Sequence, residues 1–275
     1  MTETLCFLLV ACYLQYGHTY VCVVHRYQGE SNYRAPGPYA CSFPAMIHDW
    51  RTKFASPKLP FYFVQLAPCY GHKDCGDFVS IRNAQMAGLL LPNVSYATAA
   101  DLGDRTSPYV SVHPRRKQEL CRRLALQALK LQYGMTTLVS SGPEFESVAV
   151  AGSSLTIKYK PGTAATLHPA ETADSPAGCA VSPFEVSVTA GKWVRANFTI
   201  VGETVTLKMP GGGTTALAST GVRYAWATAP TCMVYNGVGA PGTGPNGSQP
   251  AAAPGATGIA GTPFCWTGTA ACPPS

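Results

Sequence analysis

The sequence predicts an α/β fold in which an incomplete doubly wound parallel sheet is followed by a small antiparallel β-sandwich. Two observations predict it. In the first half, buried-strand patterns alternate with helical patterns, which is typical of a parallel sheet covered on both faces. After Gly142 the helical patterns end, and short alternating apolar runs follow, separated by Gly, Pro and Thr. The 275 residues suffice for two domains, which we place at 1–141 and 142–275.

The first half contains three predicted strands and three predicted helices in alternation. The strands are residues 21–24, 61–66 and 96–100, and the helices are residues 39–54, 81–90 and 114–133. Pro114 is expected to open the last helix, because proline fits a first helical position, and Gly134 is expected to end it. Doubly wound sheets usually carry about five or six strands. Part of the sheet is therefore expected to be absent from this chain.

The first 20 residues fit this pattern poorly. The apolar stretch 5–14 is too short to span a bilayer, which takes about 20 residues. Glu3 is the only charge before it, whereas a signal peptide begins with basic residues, so a cleaved signal is not expected. We interpret the stretch as a buried strand or helix, or as a chain start that does not belong to a complete protein.

The second half is predicted to be rich in β-structure. Its predicted strands are residues 147–150, 155–159, 184–188, 193–201 and 204–209. Residues 237–260 are rich in Gly, Pro and Ala, which predicts a flexible insertion. Cys265, Trp266 and Cys272 are expected to close the end of the domain.

Composition and charge exclude some classes of protein. Apolar residues make up 46% of the chain, which excludes a disordered protein, and charged residues make up only 12%, about half the average of roughly 25%. The net charge is +6. The densest basic run consists of Arg115, Arg116, Lys117, Arg122 and Arg123. We interpret it as the solvated face of one amphipathic helix, and we do not predict nucleic-acid binding.

The cysteines and glycosylation sequons favour a secretory route, extracellular or lysosomal. Eleven cysteines suit an oxidising compartment, although the odd count leaves at least one thiol unpaired within the chain. Acceptor sequons begin at Asn93, Asn197 and Asn246. Cys69 and Cys75 are expected to form a local disulfide or to remain free thiols. Together with His72 they lack a fourth ligand for zinc, and we predict no metal site.

Polar residues that look out of place follow the predicted strands. Residues 28–32, Gln-Gly-Glu-Ser-Asn, come after the first strand, residues 101–104 come after the third, and His113 precedes the last helix. Ligands of open α/β sheets bind beyond the carboxyl ends of the strands, so we expect these groups to converge. Amide groups beside a histidine base are what acyl transfer requires, and the pattern indicates ester hydrolysis.

Several of these motifs, in this order, resemble the sialate O-acetylesterase family of the SGNH-hydrolase superfamily, over roughly residues 20–235. The motifs are Tyr27–Asn32, Phe43–Arg51, Ile81–Gln85, Asp101–Asp104, Val112–Lys117, Gly142–Pro143 and Arg223–Trp226. The resemblance implies a serine esterase without a cofactor that acts on O-acetylated sialic acid or another acetylated glycan. It also implies a partial SGNH-like domain in residues 1–141.

The resemblance assigns roles to residues of this chain. It implies that His113 is the general base and that Gln28, Gly29, Glu30 and Asn32 line the oxyanion and substrate site. Arg82 and Asp104 are further candidates for contacts in this pocket.

The nucleophile is the main departure from the family pattern. In the family an early Gly-Gln-Ser-Asn block supplies it, and neither Gly-Gln-Ser nor Gly-Asp-Ser occurs in this chain. With the missing strands, this indicates the C-terminal part of a longer enzyme or a product that has lost its nucleophile. Ser31 is the candidate substitute, but its surroundings lack the Gly-x-Ser-x-Gly pattern of a nucleophile elbow, so we interpret it as a turn residue.

Two further departures affect the histidine and the first strand. Many SGNH enzymes place an Asp three residues before the histidine, where this chain has Val110. A backbone carbonyl, Asp101 or Asp104 could orient the ring instead. Residues 25–26 are His-Arg, where the family usually has a tryptophan, so the segment before Tyr27 is of doubtful origin.

Two functions remain open at the level of sequence. The first is a carboxylic ester hydrolase that removes O-acetyl groups from sialic acids. The second is a catalytically inactive remnant that binds glycan or serves a structural role. We predict no membrane span, and the sequence leaves the disulfide pairing, the oligomeric state and the preferred acetyl position open.

Overall fold

The computed structural model describes residues 6–13, 19–71, 75–152, 154–172, 178–189, 192–208, 221–237 and 260–266. Most of the predicted insertion, with Asn246, lies outside these residues, as do His72 and Cys272. None of the described helices is long and apolar enough to cross a membrane.

The first half is built on a four-stranded mixed sheet. Its strands are β1 (Cys6–Tyr13), β2 (Thr19–Tyr27), β3 (Phe61–Gln65) and β4 (Val94–Thr98), in the order β1-β2-β3-β4. The three predicted strands are β2, β3 and β4, and they run parallel. The doubtful apolar stretch forms β1, which pairs antiparallel with β2. Every residue of β3 is buried, as a central parallel strand covered on both faces requires.

Three helices connect and cover this sheet. They are α1 (Pro36–Lys53), α2 (Phe78–Gln85) and α3 (Lys117–Gln132), and 3-10 turns occur at Glu30–Asn32 and Met86–Leu90. The predicted helix 81–90 is therefore an α-helix that starts earlier, where the Asp77 side chain accepts a hydrogen bond from the Ser80 amide at 2.9 Å, and a separate 3-10 turn.

The predicted start of the last helix is wrong. Pro114 lies outside α3, which begins at Lys117. The reason is an attraction stronger than helix propensity: the backbone and guanidinium of Arg115 bind the buried carboxylate of Asp104, and the side chain of Arg116 donates to the Gly103 carbonyl. These bonds hold the residues after Pro114 against the loop that follows β4.

Two antiparallel four-stranded sheets form the second half. One consists of β5 (Phe145–Ala151), β6 (Ser154–Tyr159), β10 (Asn197–Val201) and β11 (Thr204–Lys208), and the other of β8 (Phe184–Thr189), β9 (Lys192–Arg195), β12 (Val222–Tyr224) and β14 (Phe264–Trp266). β7 (His168–Glu171) pairs with β13 (Cys232–Tyr235), which is also joined to the 3-10 turn Gly178–Ala180 by the Cys179–Cys232 disulfide. The predicted strand 193–201 is two strands separated by the buried Ala196.

Alternate residues of the two larger sheets pack into one core. The buried side chains include Leu155, Ile157, Val205 and Leu207 from the first sheet and Phe184, Val186, Val222 and Tyr224 from the second. Ala100, from the loop after β4, belongs to the same cluster, so the two halves share apolar contacts.

A buried ion pair in the first half also accepts a hydrogen bond from the second half. Arg123 on α3 is 1% exposed and donates to both carboxylate oxygens of Asp101 at 2.7 Å. Its Nε donates to Glu119 at 2.9 Å, and the Tyr235 hydroxyl from β13 donates to Asp101 at 3.2 Å. Burial lowers the pKa of Arg123, but the facing carboxylates outweigh this and raise it, so the group stays charged. The interpretation of the basic run as the solvated face of one helix is therefore wrong for Arg123, which is buried, and for Arg116, which is buried and precedes the helix.

We expect Arg123→Ala to lower the free energy of unfolding by about 3–5 kcal/mol, because it leaves the buried carboxylate of Asp101 without its cation. Lys53→Ala is the control, since Lys53 and Asp49 form an exposed pair at 2.7 Å on α1 and its loss should cost less than about 0.5 kcal/mol. Urea denaturation followed by circular dichroism measures both. Equal effects of the two substitutions would show that the buried pair contributes no special stability.

Candidate functional site

The predicted Gln-Gly-Glu-Ser-Asn motif forms a tight turn at the carboxyl end of β2. The Asn32 amide donates to the Gly29 carbonyl at 2.9 Å, and residues 30–32 form a 3-10 turn. Gly29 has a φ of 140°, a conformation that side chains rarely adopt. A Cβ at Gly29 would lie 3.4 Å from the Gln85 amide nitrogen, which is an ordinary contact, so the backbone conformation rather than the available space favours glycine here.

The amide side chains of this turn are held in one orientation. The Gln28 Oε1 accepts from Arg26 at 2.6 Å, and the Gln28 Nε2 donates to Asn32 Oδ1 at 2.7 Å. Burial raises the pKa of Tyr39 to about 12, so its hydroxyl keeps its proton and donates to the Gln28 carbonyl at 3.4 Å. An amide nitrogen carries two hydrogens, and the bond to Asn32 uses one of those on Gln28. The turn therefore presents oriented N–H donors of the kind that stabilise an oxyanion.

Glu30 and Ser31 lie within the same turn. Glu30 is partly buried and Ser31 is exposed. Ser31 lies in a 3-10 turn that precedes α1 by several residues, whereas a nucleophile elbow is a sharp turn directly between a strand and a helix. The local geometry agrees with the interpretation of Ser31 as a turn residue.

Gln85, at the end of α2, fastens the turn to the sheet. Its role was not predicted from the sequence. Its Nε2 donates to the Gln28 carbonyl at 3.1 Å and to the Val64 carbonyl at 2.9 Å. Its Oε1 accepts from the Leu66 amide at 3.1 Å. The side chain is 1% exposed. A helical glutamine is usually a surface residue, and the available signal was its place in the Ile81–Gln85 motif.

His113 lies on the surface in the loop between β4 and α3. Its Nδ1 is 2.8 Å from the Tyr109 carbonyl oxygen, and its backbone amide donates to the Val110 carbonyl at 3.0 Å. Of the three orienting groups that the sequence left open, the backbone carbonyl is the one that contacts the ring. The histidine Nε2, on the other side of the ring, is then the atom available for proton transfer.

Asp104 is bound by an arginine rather than by the histidine. The carboxylate is 1% exposed and accepts from Arg115 Nε at 2.6 Å and Nη2 at 2.8 Å. Burial raises the pKa of Asp104, but the hydrogen bonds from Arg115 outweigh it and hold the pKa below its usual range. Asp104 therefore shapes the loop that carries His113.

Arg82 is buried and joins the two halves of the chain. Its guanidinium donates to the carbonyls of Leu66 at 2.7 Å and Ala67 at 3.1 Å, which follow β3. It also donates to the carbonyls of Ala227 at 2.7 Å and Thr228 at 2.9 Å in the second half. Burial lowers the pKa of Arg82 to about 10, so the group remains charged at neutral pH. In this structure Arg82 connects loops rather than lining an open pocket.

The loops after β2, β3 and β4 meet at one edge of the sheet. The Ser111 hydroxyl donates to the Tyr70 carbonyl at 2.7 Å, and the Tyr70 amide donates back at 3.0 Å. A disulfide between Cys69 and Cys75 closes the loop that contains Tyr70. This is one of the two alternatives that the sequence left open for these cysteines.

Apolar and cationic contacts bring the His113 loop toward the Gln28 turn. Val112, the neighbour of His113, packs against the apolar cluster that Tyr27 and Tyr33 also contact. The ammonium of Lys117 lies 4.2 Å from the centre of the Tyr27 ring. The predicted oxyanion and base residues therefore lie on loops at the same edge of the sheet, beyond the carboxyl ends of the parallel strands, where α/β sheets bind ligands.

Comparison with known proteins identifies relatives for much of the chain. Residues 16–130 match the family model described as carbohydrate esterase, sialic acid-specific acetylesterase. Sialate O-acetylesterase from Homo sapiens is 40% identical over 137 residues, and that from Mus musculus is 34% identical over 236 residues. These alignments cover 44% and 76% of this chain but only 26% and 41% of the relatives. The chain thus spans less than half the length of these curated relatives.

A solved structure shares the fold over most of the chain. The crystal structure of a carbohydrate acetylesterase from Xanthomonas citri superposes with a TM-score of 0.64 at 26% sequence identity. The match covers 89% of this chain and 50% of that chain. The mixed arrangement of a parallel sheet and antiparallel sheets is therefore that of an esterase-like fold.

We expect Gln85→Leu to lower the free energy of unfolding by about 2–4 kcal/mol, because it leaves the bonded groups of Gln28, Val64 and Leu66 without their partner. Gln65→Leu is the matched control. Gln65 is equally buried, at 1% exposed, but its Oε1 has no hydrogen-bond partner among the described residues. The control should change stability by less than about 1 kcal/mol. Urea denaturation tests both variants, and equal losses would contradict a fastening role for Gln85.

Proposed function

We propose that the chain carries the oxyanion and base side of a site that removes O-acetyl groups from sialic acids, because residues 16–130 match the model of the sialic acid-specific acetylesterase family of carbohydrate esterases. The observation that carries the proposal is that two loops lie at the carboxyl edge of one parallel sheet. One presents the oriented amides of Gln28 and Asn32, and the other presents an exposed His113 whose Nδ1 is already engaged. We extend the proposal to an SGNH-type arrangement of the first half.

The proposed reaction proceeds through an acyl-enzyme. His113 Nε2 takes the proton of a serine hydroxyl, whose oxygen attacks the acetyl carbonyl. The negative charge that develops on the carbonyl oxygen is stabilised by N–H groups of the turn formed by Gln28, Gly29 and Asn32. The alcohol of the sugar leaves with the proton from His113, and water then hydrolyses the acetyl-serine. We propose that Glu30, which is partly buried in the same turn, contacts the sugar.

The nucleophile decides between this function and the alternative. The serine that the family pattern implies belongs to a block that these 275 residues do not contain, and Ser31 has turn geometry. These two facts favour a second candidate, in which the chain binds acetylated glycan without hydrolysing it. Both candidate functions involve the same acetylated glycan and the same amide residues of the turn.

We expect an O-acetylated sialic acid to bind at least about fivefold more tightly than the same sugar without its acetyl group, because the acetyl carbonyl gains about one net hydrogen bond. Saturation-transfer NMR with both sugars measures the difference. Gln28→Leu should abolish the preference. Gln132→Leu is the control, since Gln132 is exposed at the far end of α3. Equal binding of the two sugars would contradict the proposed site.

Hydrolysis of 4-nitrophenyl acetate separates the two candidate functions. If no serine of the chain acts as nucleophile, the unmodified chain and His113→Ala should react at the same rate, because the base then has only water to deprotonate. A rate that falls by tenfold or more in His113→Ala would show that a serine of this chain acts. Ser31→Ala would then test whether Ser31 is that serine.

We also propose that the chain follows the secretory route. Asn197 and Thr199 are both exposed on β10, and Asn93 is exposed before β4, where its Nδ2 donates to the Lys58 carbonyl at 3.1 Å. Two disulfides among the described cysteines, Cys69–Cys75 and Cys179–Cys232, suit an oxidising compartment.

We expect treatment with an N-glycosidase to lower the apparent mass of the protein expressed in cultured animal cells. Thr199→Ala should remove one glycan, because it destroys the sequon of the exposed Asn197, whereas Thr199→Ser should retain it. Gel electrophoresis before and after treatment reports both effects. An unchanged mass together with reduced cysteines would contradict the secretory route.

A further inference from the structure

The loop that carries His113 contains a strained residue three positions before the histidine. Val110 has a φ of 62°, in the left-handed region that β-branched residues avoid. The conformation costs roughly 1–2 kcal/mol for a residue with a Cβ. The Val110 side chain is 43% exposed, so burial of its apolar surface offers little compensation. Other interactions must hold this backbone in place.

Three hydrogen bonds close the turn around Val110. The His113 amide donates to the Val110 carbonyl at 3.0 Å. The Ser107 hydroxyl donates to the His113 carbonyl at 2.6 Å, and the Tyr109 amide donates to the same hydroxyl at 3.3 Å. Ser107 thus joins the two ends of a turn that reverses at Val110.

The same reversal directs the Tyr109 carbonyl at the imidazole. The Tyr109 oxygen is 2.8 Å from His113 Nδ1, and it belongs to the peptide unit that enters Val110. The two carboxylates earlier in the same loop are engaged elsewhere, since Asp101 binds Arg123 and Asp104 binds Arg115. A peptide carbonyl can only accept a hydrogen bond, so this contact requires a proton on Nδ1.

We propose that Ser107 and Val110 are positioning residues that hold the Tyr109 carbonyl against His113 and thereby fix the neutral ring in its Nδ1–H form. Nε2 then carries the lone pair that accepts the serine proton. A backbone carbonyl takes the orienting role that a carboxylate has in a Ser-His-Asp triad. When the ring becomes an imidazolium, Nδ1–H keeps its bond, and the partner is a dipole rather than a full charge. This inference rests on the proposed role of His113 as base.

The tautomer is measured by 15N NMR of the full chain, uniformly labelled, above the pH at which the imidazole titrates. Comparison with His113→Gln identifies the His113 signals among those of the other histidines. We expect a protonated Nδ1 and an unprotonated Nε2. A predominantly Nε2-protonated ring would overturn the proposal.

Substitutions at the turn test the two positioning residues. Val110→Asn should keep the tautomer and raise the melting temperature, because asparagine tolerates the left-handed region. Val110→Pro, which fixes φ near −65°, should lose the tautomer preference. Ser107→Ala should weaken the preference for the Nδ1–H tautomer without constraining the backbone as proline does. This variant provides the test if Val110→Pro does not fold. An unchanged tautomer in both Val110→Pro and Ser107→Ala would overturn the role of the turn.

The experiments distinguish failure of the proposed tautomer of His113 from failure of the proposed esterase function. If the chain neither binds acetylated sugar preferentially nor hydrolyses ester, but His113 is protonated on Nδ1 and responds to Ser107→Ala, the positioning device stands and the proposed function falls. If binding is preferential but the tautomer is the other one, the device falls and the substrate site stands.

Discussion

The bidentate bond between Arg123 and Asp101 is the interaction on which the arrangement of the loops depends. A buried guanidinium and a buried carboxylate are tolerated only when each satisfies the other, so the geometry permits little variation. Arg123 also donates to the Thr98 carbonyl at 2.8 Å, at the last residue of β4. The pair therefore fixes where α3 lies against the end of the sheet. Because the loop between β4 and α3 carries His113, the position of the histidine follows from this bond.

Arginines perform similar tasks at three places along the edge of the sheet. Arg82 saturates carbonyls after β3, Arg115 neutralises Asp104, and Arg123 neutralises Asp101. Loops at a ligand-binding edge cannot pair their backbone groups in regular ladders, and buried carbonyls need donors. The planar guanidinium supplies several donors in fixed directions. A sequence with few charged residues thus places several of its cations where they organise loops rather than where they meet solvent.

Sequence patterns predicted the elements that have long apolar runs and failed where other forces dominate. β2, β3 and β4 were predicted from their apolar runs, of which only β3 is buried at every residue, and the helices between them from their helical periodicity. β7, β12, β13 and β14 have only three or four residues each, too few for periodicity to register. At Pro114, local propensity favoured a helix, and the hydrogen bonds of Arg115 to Asp104 prevented it.

The sequence predicted which residues belong to the candidate site but not the hydrogen bonds that hold them in place. The turn at residues 28–32 and His113 stand out because polar residues follow apolar strands. The fastening role of Gln85 and the contact of the Tyr109 carbonyl with His113 depend on spatial neighbours that spacing does not reveal. Arg82 was expected to contact a pocket. Its bonds to Ala227 and Thr228 could not be predicted, because they join residues about 145 positions apart in the sequence.

Those long-range bonds of Arg82 have a consequence for how damage spreads through the molecule. Its acceptors are main-chain carbonyls, so the connection depends on the path of the backbone at 227–228 and not on the identity of those side chains. Conservative changes of Ala227 should have little effect, whereas the Thr228 hydroxyl also donates to the Gly76 carbonyl at 3.3 Å. A deletion or insertion that shifts this backbone would withdraw two acceptors from a buried cation and disturb Leu66 and Ala67 on the opposite side. Indels in the β-rich half would then have the same effect as lesions in the first half of the chain.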